Sequence, residues 1–97
     1  MTRLVFTLRA LDDIDRLHDF LAEQLPHEAA RTAEVIAHGL EILTAHPLVG
    51  RPLEQGLREL VISRGSSGYL ALYQYDRDAD AVAVLALRHQ REAGYLS

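Results

Sequence analysis

The chain has 97 residues, and its ten basic side chains, all arginine, stand against fourteen carboxylates, for a net charge of −4. Without lysine it has neither a lysine-dependent phosphate-binding loop nor Schiff-base chemistry, and without cysteine it has neither disulfides nor thiolate metal sites. The length allows one domain over residues 1–97, and the mild acidity disfavours nucleic-acid binding through bulk charge.

Neither a membrane span nor an export signal is predicted. No apolar run approaches the roughly 18–20 residues that a membrane-spanning helix needs. Asp12 and Asp13 interrupt the amino-terminal segment too early for a signal peptide. We therefore expect a cytoplasmic protein that does not enter membranes.

The first half of the chain predicts one strand and two helices. An apolar run at 4–6 suits a strand, and Thr7 follows it in the position of a helix N-cap. Apolar residues at spacings of three and four then predict a first helix, with a stripe over Leu11, Ile14, Leu17, Leu21 and Leu25. Pro26 is well placed as the first residue of a second helix, whose stripe ends at Leu43. The short connection predicts an antiparallel helical hairpin.

The second half predicts three strands. Residues 47–56 contain two prolines and two glycines and are predicted as a loop. Residues 57–63, 69–75 and 81–88 follow as strands joined by short turns, which is typical of an antiparallel meander. The order β-α-α-β-β-β predicts a two-layer α+β fold, in which the helical hairpin packs on a small antiparallel sheet.

Three motifs lack the residues that their chemistry needs. A zinc-protease helix would need a second histidine where Arg31 follows His27. The alternating aspartates of 76–80 lack the glycine and glutamate of a calcium loop. Ser66 and Ser67 lack the context of a nucleophilic serine. Neither a metal nor a cofactor is therefore expected.

The most distinctive segment is ALRHQREAGY, because it groups four polar side chains where the last strand ends: Arg88, His89, Arg91 and Tyr95. Histidine is a general base near neutral pH, arginine stabilises a charged phosphoryl transition state, and tyrosine stacks on bases. The competing interpretation is a polar tail whose arginines pair with Glu59, Glu92 or the acids of a partner. The residue types alone favour neither interpretation.

Several segments together resemble the RelE/ParE superfamily of bacterial type II toxin–antitoxin toxins: AHP (45–47), GRP (50–52), GLRELVI (56–62), SSGYLALYQY (66–75) and LRHQREAGY (87–95). The resemblance covers nearly the whole chain and is most specific over 50–95. It implies the fold derived above and a cognate antitoxin, of ParD or RelB type, that wraps the toxin. It also implies that DNA is contacted only through the antitoxin or the target complex.

The resemblance implies two alternative activities, since RelE-type members cleave messenger RNA in the ribosome and ParE-type members poison DNA gyrase. When the Ser-Ser-Gly-Tyr segment of this chain is aligned with that of the RelE-type ribonucleases, the resemblance implies that those proteins carry basic residues where this chain has Val61, Ser63 and Leu70. Each lost preorganised donor typically costs a factor of about 10²–10³ in rate. The segments GLRELVI and RHQREAGY look most like the ParE branch. Gyrase inhibition is therefore favoured, and a ribosome-dependent endoribonuclease is the alternative.

The resemblance and the residue types yield two sets of candidate site residues. The contacts with gyrase are expected at Arg88, His89, Arg91 and Tyr95, which have no evident packing role. In the ribonuclease alternative, His89 is the base, Arg91 stabilises the phosphate and Tyr95 stacks. The antitoxin, through an acidic amphipathic segment, is expected to bind at Arg58, Arg64, Leu17 and Leu21.

Overall fold

The computed structural model describes residues 1–24, 26–64 and 67–95, without the side chains at positions 24, 28, 63, 64 and 67. In chain order the elements are β1 (Arg3–Phe6), α1 (Leu8–Gln24), α2 (Pro26–Ala29), α3 (Thr32–Leu40), α4 (Ile42–Ala45), β2 (Arg51–Pro52), β3 (Leu57–Arg64), β4 (Ser67–Asp76) and β5 (Ala81–His89). The predicted elements are present, with two refinements. The second helix is divided into α2, α3 and α4, and the predicted loop contains the short strand β2 and a 3₁₀ turn at Glu54–Gly56.

Thr7 starts the first helix and ties it to the sheet. Its hydroxyl oxygen accepts a hydrogen bond from the Ala10 N–H at 3.1 Å, as the N-cap prediction required. The same hydroxyl lies 3.2 Å from the carbonyl oxygens of both Val84 and Leu85, to which it can donate. The start of α1 is therefore fixed against β5.

The sheet has the strand order β1-β5-β4-β3-β2. The pairs β3–β4 and β4–β5 are antiparallel, as predicted, and the unpredicted strand β2 pairs antiparallel with β3. The pair β1–β5 is parallel, with Arg3 opposite Ala81 and Phe6 opposite Val84. The α+β class is confirmed, but the sheet is mixed rather than wholly antiparallel. The helices separate β1 from the other strands in the chain, so β1 is not joined to β5 by a hairpin turn and can run parallel to it.

The helices cover one face of this sheet and form the core with it. Leu17 and Leu21 of α1 are both 0% exposed and pack in a cluster with apolar side chains of α3, β4 and β5. This corrects the expectation that these two leucines form an antitoxin surface, because the folded chain uses them to bury its own sheet. Among the described residues, no helix is long and apolar enough to cross a membrane.

Tyr73 and Arg58 hold the segment that follows α4 in place through hydrogen bonds to its backbone. The Tyr73 hydroxyl donates to the Pro47 carbonyl oxygen and accepts from the Gly50 N–H, both at 2.8 Å. Arg58 Nη1 donates to the carbonyl oxygens of Leu48 and Gly50, both at 2.9 Å. A Cβ at Gly50 would lie 2.5 Å from the Tyr73 hydroxyl, so this close approach requires glycine.

Candidate functional site

The sheet face that points away from the helices, here called the open face, carries two rows of side chains across three strands. Residues opposite one another on neighbouring strands share a face. One row runs from Val61 through Leu70 to Arg88, and the next from Glu59 through Leu72 to Ala86. Val61 and Leu70, at positions where the resemblance implies basic residues in RelE-type ribonucleases, thus lie in the same row as Arg88 and are apolar. The side chain of Ser63, the third such position, lies outside the described part of the chain.

The carboxy-terminal segment folds back so that Tyr95 lies against the open face. Its hydroxyl donates to Glu59 Oε2 at 2.7 Å, and the guanidinium carbon of Arg88 lies 5.3 Å from the centre of its ring. Arg51 of β2 donates to the other carboxylate oxygen of Glu59 at 2.7 Å. We call Arg51, Glu59, Arg88 and Tyr95 the tail cluster. It places two of the predicted target-binding residues, Arg88 and Tyr95, in one site.

Glu59 is the one carboxylate of the tail cluster, and it is only 8% exposed. Burial raises the pKa of this carboxyl, but the hydrogen bonds from Tyr95 and Arg51 outweigh burial and hold the pKa below its usual value. Burial and the neighbouring Glu59 carboxylate raise the pKa of the Tyr95 phenol well above its usual value. Glu59 is therefore ionised at neutral pH, and Tyr95 acts as a hydrogen-bond donor rather than a base.

Acid is expected to release Tyr95 from Glu59. Because the pKa of Glu59 is depressed on folding, its contribution to stability is fully present above the ordinary value of 4.5 and is lost as the pH falls through the folded pKa. A hydrogen bond to a charged group contributes about 1.5–3 kcal/mol. The ring resonances of Tyr95, followed by NMR from neutral to acid pH, should shift with the titration of Glu59. In Tyr95→Phe the pKa of Glu59 should rise, and a Glu59 that titrates at or above 4.5 in the native chain would contradict this account.

His89 lies on the opposite side of the sheet from the tail cluster. It is 0% exposed, and its ring centre lies 5.4 Å from that of Tyr69 and 6.0 Å from that of Phe20. Its Nδ1 accepts the backbone N–H of Arg91 at 3.1 Å, which places the proton of a neutral ring on Nε2. This corrects the expectation that His89 contacts a target beside Arg88, since adjacent residues of a strand face opposite sides.

The remaining predicted arginines have separate surroundings. Arg91 is exposed just beyond β5. Arg88 Nη1 donates to the carbonyl oxygen of Glu92 at 2.9 Å, so Arg88 does have a structural role in holding the tail. Arg58 binds the carbonyl groups of the loop after α4. The side chain of Arg64 lies outside the described residues.

Three charged side chains, of which the sequence analysis named only Glu92 as a partner for the tail, complete the free edge of β5. Beyond Val84 this edge has no strand partner in the β1 pairing. There the Leu87 N–H donates to Asp13 Oδ2 at 2.9 Å, and Arg16 Nη2 donates to the Leu87 carbonyl at 3.1 Å. Glu92 accepts from the His89 N–H at 2.9 Å and forms an ion pair with Arg16. We call Asp13, Arg16 and Glu92 the edge network, and it anchors the tail to α1.

One signal for this network was available in the sequence. Asp13 stands four residues before Leu17, on the stripe that α1 buries. A carboxylate at such a position needs a partner in the interior, because a buried charge without one is costly. The partners, the Leu87 amide and Arg16, come from the other end of the chain and from the next turn of α1.

The open face combines the exposed Val61 and the partly buried Leu70 with an arginine and a tyrosine, and such residue types are common in protein interfaces. Among the described residues, no three His, Cys, Asp or Glu side chains are grouped so that they could hold a metal ion.

Comparison with known proteins assigns the family. A family model described as the ParE toxin of the type II toxin-antitoxin system parDE matches residues 4–94. "Toxin RelE3" of Caulobacter vibrioides is 36% identical over 84 residues, which cover 87% of this chain and 89% of that protein. "Putative toxin Y4kP" of Sinorhizobium fredii is 30% identical over 89 residues, which cover 91% of each chain.

Solved structures share the fold. A chain of the "Chromosomal ParDE TA system from P. aeruginosa" is 25% identical with a TM-score of 0.71, and the match covers 88% of this chain and 91% of that one. A chain of the intact E. coli RelBE toxin-antitoxin complex is 24% identical with a TM-score of 0.56, covering 90% and 94%, which shows likeness of fold. By sequence and by fold, this chain belongs to the ParE toxin family of type II toxin–antitoxin systems, within the RelE/ParE superfamily.

Proposed function

We propose that this toxin inhibits DNA gyrase by direct protein contact and is neutralised by a cognate antitoxin. The observation that carries the proposal is the separation of the candidate catalytic groups. His89 is buried in the core, whereas Arg88 and Tyr95 lie on the open face. A nuclease mechanism would need them together around one phosphate.

The electrostatics of the open face support the same proposal. Cleavage of RNA requires a base and preorganised cations around the scissile phosphate. Here the row beside Arg88 is completed by Val61 and Leu70, and the adjacent row contains the ionised carboxylate of Glu59. In these two rows Arg88 is the only cation, and Arg51 at their edge is already paired with Glu59, so the face lacks the set of preorganised cations that cleavage requires.

The same features favour a protein target. Val61 is 60% exposed, and Leu70 beside it is partly exposed. Arginine and tyrosine at the edge of an apolar patch are the residue types most enriched among interface hot spots. Arg91 is exposed just beyond the end of β5, three residues after Arg88 in the chain. We place the gyrase contact at Arg88, Arg91 and Tyr95, without His89.

The partner that neutralises the toxin is proposed to be a ParD-like or RelB-like antitoxin. The two solved relatives are described as ParDE and RelBE systems, each of which pairs a toxin with an antitoxin. In this proposal the toxin acts in the cytoplasm and reaches DNA only through the antitoxin or the gyrase complex.

The test combines two assays on the purified toxin. With gyrase and relaxed plasmid, we expect loss of supercoiling and accumulation of cleaved DNA. Arg91→Ala should weaken inhibition by about tenfold or more, the effect of a hot-spot side chain, whereas Arg9→Ala, at an exposed position of α1, should not.

Primer extension on translated messenger RNA runs in parallel, because relatives of this chain carry the name RelE. Unchanged supercoiling together with codon-phased cuts that disappear in His89→Ala would replace the gyrase proposal with the ribonuclease alternative. Cuts that persist in His89→Ala would exclude that residue as the base.

A further inference from the structure

A second surface lies around the loop between α4 and β3. Three apolar side chains stand out from it, with Leu48 52%, Val49 50% and Leu53 36% exposed. They border two adjoining cavities of about 560 Å³ and about 240 Å³, and both cavities are lined by Leu48, Tyr75 and Arg77. We call this pair of cavities the loop groove.

The loop groove is held in shape by the fold. Tyr73 and Arg58 bind the backbone of the loop at Pro47, Leu48 and Gly50, as described above. A loop fixed in this way loses little conformational freedom when a ligand binds, so its exposed side chains are available at low entropic cost.

The loop groove is lined by two arginines, Arg58 and Arg77, and none of the described residues that line it is a carboxylate. Three aspartates lie close by: Asp80 accepts a hydrogen bond from the Tyr75 hydroxyl at 2.9 Å, and Asp76 and Asp78 line a neighbouring cavity with Arg77. Within the described ranges neither guanidinium forms an ion pair with a carboxylate, in contrast with Arg16 and Arg51. The chain as a whole is acidic, with a net charge of −4. A partner that is both acidic and apolar therefore complements this surface better than it complements the rest of the chain.

We propose that the loop groove binds an acidic segment of the cognate antitoxin, with an apolar side chain between Leu48 and Tyr75 and carboxylates beside Arg58 and Arg77. This inference rests on the proposed function, which supplies the antitoxin. The proposed binding site includes Arg58, which the sequence predicted for the antitoxin surface, but not Leu17 or Leu21, which are buried.

The test measures the affinity of the purified full-length toxin for its antitoxin by calorimetric titration. Leu48→Asp puts a carboxylate where the apolar anchor would lie, and Arg77→Glu reverses the charge that would attract the partner. Each is expected to weaken binding by about tenfold or more, and the loss from Arg77→Glu should shrink as salt is added. Both positions are exposed, so the melting temperature should stay near that of the native toxin.

Matched controls make the same changes on α1. Leu8 is 82% exposed, Arg9 is exposed, and neither lines the loop groove. Leu8→Asp and Arg9→Glu should bind the antitoxin as the native toxin does.

The outcomes separate the two proposals. If the native toxin binds the antitoxin and both groove variants bind it within twofold, the groove assignment is wrong while the proposed function stands. If the native toxin does not bind, both fail. If instead Leu48→Asp changes only the oligomeric state in sedimentation, the groove is a contact between copies of the toxin and the proposal is overturned.

Discussion

Replacement of Leu17 by alanine is expected to lower the free energy of unfolding by about 2–5 kcal/mol, because the side chain is fully buried and its loss leaves a cavity beneath the sheet. A domain of this size has about 5–15 kcal/mol of total stability, so this is a large fraction. Chemical denaturation followed by circular dichroism measures the change. Leu8→Ala, on the same helix but 82% exposed, should change it by less than about 0.5 kcal/mol.

The same pair of variants distinguishes a core position from a docking position. If Leu17 belonged to the antitoxin surface, Leu17→Ala would weaken antitoxin binding while leaving the unfolding free energy of the isolated toxin nearly unchanged. We expect the reverse, with a destabilised toxin whose folded fraction binds the antitoxin with native affinity. A Leu17→Ala toxin as stable as the native protein would contradict the packing described for α1.

Features with a local cause were predictable from the sequence. Thr7 caps α1 because its hydroxyl needs only the N–H of a residue three positions away. Pro26 begins α2 because its fixed φ suits a first helical turn. The direction of β1 was not predictable in this way. Its partner is β5, almost the whole chain away, and an apolar run of three residues contains no information about which strand it will join.

The candidate site shows the same division. Arg88 and His89 are neighbours in the sequence, but strand alternation sends one to the open face and the other into the core. The alternation of side chains along a strand is enough to predict that separation from the sequence. The meeting of Tyr95 with Glu59 was not, since it depends on the path of the tail across the sheet and joins residues 36 positions apart. The alternative of a polar tail expected its arginines to pair with Glu59 and Glu92, whereas Tyr95 and Arg51 bind Glu59, and Arg16 binds the Glu92 carboxylate.

Asp13→Ala is expected to cost about 3 kcal/mol of folding free energy, far more than removal of an exposed helical aspartate. Asp13 is 5% exposed, and its carboxylate satisfies both the buried N–H of Leu87 and the guanidinium of Arg16. Without it, that N–H has no acceptor at an edge of β5 that the β1 pairing does not reach. The melting temperature should fall by roughly 4–8 °C for each kcal/mol of stability lost in a domain of this size.

Two matched variants make the expectation specific to the edge network. Asp12→Ala removes a neighbouring exposed carboxylate and should change stability by less than about 0.5 kcal/mol. Asp13→Asn keeps an oxygen that can accept from Leu87 but loses the charge that faces Arg16, so its cost should be intermediate. Because Arg16 also holds Glu92, and Glu92 holds the backbone at His89, loss of Asp13 should loosen the tail as well. In Asp13→Ala we therefore expect faster hydrogen exchange at the Leu87 amide. The folded fraction of this variant should also inhibit gyrase more weakly than the native toxin does. If Asp13→Ala and Asp12→Ala unfold at the same temperature, α1 does not complete the edge of β5 as the geometry indicates.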